Sequence, residues 1–391
     1  MNKKKCLLLV SRIPFPPIGG DRLKSYNMIK VLSERYSIQL IIITDERMSS
    51  DARDFITRNC DSYKIFVRSR MRFAINVLAA LFFTSTPLQV RYYYFPEVKQ
   101  KLNLMFSSVD FAIVNLVRLV PYVEGFSKPI FLDIVDSIGL NYLSSRKKVS
   151  SWFWKLIYRI EIKRLLTYEK ECVKSLRNTF FVNYDECKYY SKFGSTRWIP
   201  NGVNNALFSY VYKEDQYMNS VAFFGKMDYQ PNIDAVLWFV NHVLGELPEM
   251  SFYIIGSNPV EKVLSLQSKF ANIHVTGYLD DPYRVLNSCA LVVSPMQTGG
   301  GIQNKILESM ALGKVNLLTT KAASPIQGAI EGIHYLLADT PELMKAHITQ
   351  VMNDRAGYEH IGENAKKLMM ELYTWENYKT KLYSMLEENY I

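Results

Sequence analysis

The stretch "ALVVSPMQTGGGIQNKILESMALGKVNLLTT", residues 290–320, sets an apolar run, three glycines, a helix-length segment and a second apolar run in succession. Runs that are apolar throughout suit strands buried on both faces, and two of them joined by a helix make a βαβ unit of a parallel sheet. On a helical wheel Ile302, Ile306, Leu307, Met310 and Ala311 form one apolar stripe, with Asn304, Lys305, Glu308 and Leu312 opposite. Lys305 and Glu308 are then i, i+3 neighbours, which on an ordinary surface helix is a solvated ion pair. The glycines change that reading. Three in a row cost backbone entropy and are tolerated where a ligand must approach the main chain. The helix N-terminus beyond them offers unpaired N–H groups and partial positive charge, a seat for phosphate. No Gly-Lys-Ser/Thr follows the triplet, and no GxGxxG follows the first strand, so ATPase and NAD readings lose support.

Working outward, the same alternation fills the chain. Apolar runs at 5–12, 37–44, 63–68, 111–116, 130–135 and 179–183 are separated mostly by helix-length segments. A second set lies at 221–227, 251–256, 272–279, 290–296, 315–320 and 333–339. The expected fold is α/β, with two Rossmann-like β/α/β domains facing a central cleft. A length of 391 residues agrees with two cores. The polar, turn-rich segment "IPNGVNNALFSYVYKEDQYMNS" marks the boundary, giving an N-terminal domain over 1–205 and a C-terminal domain over 206–370. Residues 371–391 read as a terminal helix that packs back toward the first domain.

Charge is distributed unevenly. Residues 1–200 hold 33 Lys and Arg against 17 Asp and Glu, whereas residues 201–391 hold 14 against 20. The first half therefore favours an anionic partner or surface. Nucleic acid is disfavoured as that partner, because no helix-turn-helix, zinc-finger or RRM signature is present. Five scattered cysteines without CxxC spacing read as free thiols in a reducing compartment, not as a zinc site. The opening "MNKKKCLLLVSRIPFPP" reads as a first buried strand more readily than as a signal peptide.

The stretch 294–320 resembles the signature region of the retaining GT-B glycosyltransferases of family 4, the glycosyl transferases group 1. In particular it resembles a glycine-rich-loop branch found in bacterial surface-polysaccharide synthesis. Glu308 matches the carboxylate that in the family receives the ribose hydroxyls of a sugar nucleotide. The family's first carboxylate would fall at Gly300, so sugar contacts pass to the backbone of Gly299, Gly300, Gly301 and Ile302. "RIPFPPIGGDRLKSYNMIKVLSERYSIQLIIIT" resembles the family's first loop and helix, in which Gly19 and Gly20 would approach donor phosphates and acceptor; a plain turn is the simpler reading of that pair. "IPNGVNNALF" is similar to the interdomain segment. "AFFGKMDYQPNIDAVLWF" is similar to the strand, loop and helix presenting phosphate-binding cations, with Gly225 and Lys226 in place and Pro231 where a second cation is usual. Lys305 is the substitute for that cation. "VTGYLDD" resembles the loop whose backbone meets the nucleobase and puts Tyr278 and Leu279 there.

The chemistry the resemblance implies is transfer of a hexose from a nucleotide-diphosphate sugar, with retention, to a saccharide or a polyprenyl-diphosphate-linked saccharide, with the acceptor bound by the first domain and the nucleotide sugar mainly by the second. Charge gathers on the leaving diphosphate, and Lys226, Lys305 and the helix N-terminus would stabilise it without metal or other cofactor. All five histidines lie in the second half, so the histidine that many family members carry in the first domain is missing. Asp136, at the end of "FLDIVD", is the remaining candidate to orient a hydroxyl; the alternative is that Asp136 caps the next helix and Asp133 is a buried hydrogen-bonding partner. Two basic, aromatic regions, 68–91 and 145–165, suit an anionic bilayer surface, or else a core-facing stripe with a solvated face. Residues 73–90 are uncharged but too polar to span a membrane. The location that follows is cytoplasmic, with a peripheral seat on the inner face of the plasma membrane. Other readings are a non-catalytic sugar-nucleotide or polysaccharide-binding relative, and a sugar-nucleotide 2-epimerase of the same two-domain shape.

Overall fold

Among the described residues the apolar runs form strands that pair only in parallel, as burial on both faces requires. The structure, a computed structural model, describes residues 3–81, 85–146 and 152–388. One unit comprises Met1–Pro200 with Lys379–Ile391, the other Asn201–Tyr378. These boundaries lie several residues from the 205/206 and 370/371 that turn-rich composition points to.

The first sheet contains β1 (Lys5–Val10), β2 (Ser37–Thr44), β3 (Ser62–Val67), β4 (Phe111–Asn115), β5 (Ile130–Val135), β6 (Thr179–Phe181) and β7 (Thr196–Trp198), in the order β3-β2-β1-β4-β5-β6-β7. Leu7, Leu9, Ile41, Ile43, Val114 and Leu132 are fully buried in its core. The second contains β8 (Ser220–Phe224), β9 (Ser251–Ile255), β10 (Ile273–Gly277), β11 (Leu291–Ser294), β12 (Val315–Leu318) and β13 (Leu336–Leu337), in the order β10-β9-β8-β11-β12-β13. Twelve of these strands lie on the twelve apolar runs, and β7, only three residues long, has no such run.

Both orders reverse direction once, between β1 and β4 and between β8 and β11. Loops leaving adjacent strands on opposite sides of such a reversal splay apart and open a crevice at the carboxyl edge, where ligands of open α/β sheets bind. The loops after β8 and β11 define that position in the second unit. Those after β1 and β4 define it in the first.

The terminal helix Trp375–Glu388 ends in the first unit. There Tyr383 donates to the Val31 carbonyl, and Arg35 and Glu34 pair with Glu387 and Lys379. No helix among the described residues is long and apolar enough to cross a membrane.

Candidate functional site

In the second unit, the loop after β11 carries the glycine triplet into the helix Asn304–Ala311. Gly299 and Gly301 have φ of 101° and 71°, a region other residues enter at a cost, which explains glycine at both. The helix starts at Asn304, so Ile302 lies before it and is not part of its stripe. Ile306, Leu307, Met310 and Ala311 are buried as the wheel requires, and Leu312, placed on the polar side by the wheel, is buried as well. It leaves the last helical turn at the C-cap, where the wheel no longer applies.

Lys305 and Glu308 are not each other's partner. Lys305 Nζ donates to Asn232 Oδ1 at 2.6 Å, contacts Met296 Sδ at 3.5 Å and sits 4.2 Å from the centre of the Phe223 ring. Burial in this apolar niche pulls the ammonium down to about 7. Glu308 is half-buried and hydrogen-bonds Tyr283, from the helix Pro282–Ser288. Desolvation outweighs that bond and raises the carboxyl to about 7. One helical turn therefore holds an acid and a base that both titrate near neutrality, and neither spends its charge on the other.

The loop after β8 meets this helix. Gly225 has φ of 150°, and a Cβ there would lie 2.8 Å from Asn232 Nδ2 and 3.1 Å from Lys305 Cδ. Asn232 is itself fixed by donating to the Lys226 carbonyl at 2.9 Å. Pro231 lies beside Gly299, whose Cβ would stand 3.4 Å from Pro231 Cβ. The Lys305 ammonium thus reaches the residue next to Pro231. Lys226 is exposed and pairs with Asp228 at 3.0 Å. Asn201 donates weakly to Asn304 Oδ1 at the helix start, and both Asn201 Oδ1 and Thr298 Oγ1 lack a partner among the described residues. Tyr278 and Leu279 follow β10, with Tyr278 exposed and Leu279 half-buried. Asn232, Tyr283 and Asn201 emerge only in the fold.

Residues 219–354, which contain these elements, match the family model described as Glycosyl transferases group 1. The second unit is a group 1 glycosyltransferase domain. Solved structures similar to the whole chain share the GT-B fold. Sucrose-phosphate synthase from Thermosynechococcus elongatus is 14% identical with a TM-score of 0.71, covering 99% of both chains. Anabaena Alr3699/HepE in complex with UDP-glucose is 13% identical with a TM-score of 0.67, covering 98% of this chain and 99% of that one. The lipopolysaccharide outer core galactosyltransferase WaaB, in its apo form, is 12% identical with a TM-score of 0.63, covering 98% and 99%. No curated protein sequence matches the chain. The chain is thus a transferase enzyme with the two-sheet α/β architecture of this group.

In the first unit of this glycosyltransferase, Gly19, with φ of 97°, and Gly20 open the sixteen-residue helix Gly20–Arg35. A Cβ on either would meet nothing closer than 3.9 Å. Asp133 is a fully buried hydrogen-bonding partner: Lys24 Nζ donates to it at 2.5 Å and Asn115 Nδ2 at 2.9 Å. The cap of the next helix is Ser137, which accepts from the Leu140 N–H, so capping by Asp136 is ruled out. Asp136 instead follows Val135, a β-branched residue at φ 62°, and its Oδ1 lacks a partner among the described residues. Burial raises its carboxyl to about 6, although Lys24 opposes the shift.

Proposed function

We propose that this glycosyltransferase moves a hexose from a nucleotide-diphosphate sugar to a saccharide or lipid-linked saccharide acceptor, with retention and without metal, in the synthesis of bacterial cell-surface polysaccharide. The observation that carries the reading is the shared turn of Lys305 and Glu308 behind the glycine triplet, at the strand-order reversal of the second sheet. The diphosphate meets the main chain of Gly299 to Ile302 and the Lys305 ammonium. Lys226 reaches the same phosphates once it exchanges Asp228 for them. Glu308 accepts the ribose hydroxyls, with Tyr283 fixing its carboxylate, and the base lies along Tyr278 and Leu279. Gly19 and Gly20 supply open main chain to the donor or acceptor, and Asp136 orients a hydroxyl. Oriented N–H groups and a cation where leaving-group charge develops are what the reaction requires. The UDP and UDP-glucose complexes of Anabaena Alr3699/HepE support a nucleotide-sugar donor.

The membrane contact belongs to this proposal. On the helix Arg70–Leu81, Met71, Ile75 and Leu78 are exposed at i, i+4 and i+7. On the helix Trp152–Leu176, exposed Leu156 and Ile160 sit among exposed Lys155, Arg159 and Lys163. Such interleaving suits an anionic bilayer surface. Arg68, Arg70 and Arg72 are partly neutralised by Glu97 and Asp45. Residues 82–84 and 147–151 of the two basic regions lie outside the described residues, and so do the side chains of Trp152, Phe153 and Trp154.

The test is thermal unfolding of the protein with UDP, GDP, dTDP, ADP and their sugars, with EDTA throughout. A ligand of the native state raises the melting temperature. A shift for one nucleotide family supports the donor site and its independence of metal; no shift from any of them overturns it. Anomeric NMR of the product then reads retention, and flotation with phosphatidylglycerol against phosphatidylcholine vesicles reads the membrane contact.

A further inference from the structure

The end of β5 is built to aim one side chain. Asp133 Oδ1 accepts from the Val135 N–H at 3.1 Å as well as from Lys24, which holds Val135 at its φ of 62°. The Val182 N–H donates to the Val135 carbonyl at 3.1 Å, and the pairing of β5 with β6 shifts register between Asp133 and Val135. A bulge of this kind re-aims the side chain beside it. Positive φ on a β-branched residue is a strain that persists only where the surroundings impose it. The residue aimed here is Asp136.

Around it acids outnumber cations. Asp133, Asp136, Glu169 and Glu186 surround the turn at Val135 to Ser137, and Lys24, spent on Asp133, is the one cation bonded to any of them among the described residues. Asp21 and Asp185 add negative charge from the helices Gly20–Arg35 and Tyr184–Tyr190. Neutral donors are shared unevenly. Glu169, on the helix Trp152–Leu176, takes the Ser137 hydroxyl at 2.7 Å, the Gly139 N–H at 3.1 Å and the Tyr190 hydroxyl. Glu186, 6% exposed, takes the Ser137 N–H at 2.6 Å. Four carboxyls facing one ammonium in an enclosed turn do not all ionise, because an uncompensated buried charge gives way to protonation.

The proton falls between Asp136 and Glu186. The N–H that Glu186 accepts belongs to the peptide bond of Asp136, so the two carboxyls are neighbours. Lys24 draws charge toward Asp136, whereas the charged groups that act on Glu186 are Asp136, Glu169 and Asp185, all acidic. We infer that Asp136 and Glu186 hold one proton between them, carried by Glu186, and that Glu186 is thereby the positioning residue that leaves Asp136 a charged acceptor for a substrate hydroxyl. The inference rests on the role given to Asp136 above. An ionised carboxylate with a spare oxygen is a strong acceptor, and its neighbour's neutrality is what lets it keep its charge. With the proton on Asp136 instead, that side chain would turn from acceptor to donor.

The test is infrared spectroscopy of the full chain from pH 4 to 9, with aspartate or glutamate 13C-labelled at the side-chain carboxyl to separate the two kinds of protonated acid. Asp136→Asn assigns the aspartate band, and the difference between the parent and Glu186→Gln isolates Glu186 from the other glutamates. The expected result at pH 7 is a protonated glutamate that Glu186→Gln removes, with the Asp136 acid band growing in only as the pH falls through about 6. Glutamine imitates neutral Glu186, so the Asp136 midpoint should move by less than about 0.5 pH unit in that variant. Loss of a charged neighbour would lower it by about one unit or more, a tenfold change in proton affinity. No Glu186-dependent band at pH 7 overturns the inference, as does a predominantly protonated Asp136 at that pH or a midpoint that falls in Glu186→Gln. Melting curves show whether the variants fold, and Glu186→Met, also neutral, replaces Glu186→Gln if that one does not. The spectra need no substrate. A Glu186 band without any nucleotide response in the thermal screen would leave the shared proton standing and remove the transferase role of Asp136 instead.

Discussion

At the scale of single residues, the candidate donor site is defined by two groups held away from their ordinary protonation. Glu308 is raised to about 7, so its folded pKa exceeds the unfolded value and ionising it costs stability. That cost is absent below about pH 4.5 and grows as the pH rises through 7. Glu308→Gln keeps an acceptor for Tyr283 but has no charge to desolvate. Its unfolding free energy should therefore exceed the parent's at pH 8, by a margin on the order of 1–2 kcal/mol given partial exposure, and equal it near pH 4. The same variant should bind the donor about tenfold or more weakly, and Glu308→Ala should abolish measurable binding with the fold intact. Unchanged donor affinity in both variants would remove the ribose role.

Lys305 runs in the opposite sense. Its folded pKa is depressed to about 7, so the stability of its neutral form is present at high pH and is lost as the pH falls through 7. A diphosphate arriving beside it restores the ammonium. Donor binding at pH 8 should then take up close to one proton, which calorimetry in buffers of different ionisation enthalpy reads directly. Affinity should fall by up to about tenfold per pH unit above 7. Lys305→Met should bind weakly with no such uptake. Proton uptake that persists in this variant would assign the titration elsewhere.

At the scale of elements, the site is made where the loop after β8 presses on the helix after β11. Gly225 is the point of contact, and glycine there is a steric demand. In Gly225→Ala the methyl would meet Asn232 Nδ2 at 2.8 Å and Lys305 Cδ at 3.1 Å, on a backbone at φ 150°. We expect about 1–3 kcal/mol of lost stability in denaturant titration and a donor affinity reduced at least about tenfold, because both residues must shift. A variant with lowered stability and intact affinity would show that Lys305 can move without consequence.

What was legible in the sequence, and what was not, follows from the same elements. The strand positions could be read because a strand buried on both faces must be apolar along its length. β7 escaped because three residues, Thr196, Arg197 and Trp198, carry no period. Glycine triplet, lysine and glutamate were visible because they are close in sequence. Asn232 and Tyr283 were not, since 73 residues separate Asn232 from Lys305 and only the sheet order brings their loops together. The capping role weighed for Asp136 went to Ser137, one residue on, a difference that composition cannot resolve.

At the scale of the whole molecule, buried acids and surface charge pull stability in opposite directions with pH. Asp136, Glu161, Glu169 and Glu186 in the first unit, with Glu308 in the second, are all raised, chiefly by burial. Each has a folded pKa above its unfolded value, so each lowers stability as the pH climbs out of the ordinary carboxyl range. Opposing them, a net charge of +10 at pH 7 grows as exposed carboxylates protonate, and self-repulsion then destabilises the acid side. Salt separates the two, because it screens surface charge and leaves buried groups largely unscreened. At high ionic strength the melting temperature should therefore be higher at pH 5.5 than at pH 8, and at low ionic strength that difference should shrink or reverse. A melting temperature that rises steadily to pH 8 in high salt would mean that these carboxyls ionise inside the fold at no cost, and the partnerless oxygens of Asp136 and Glu161 would then require donors that the described residues do not supply.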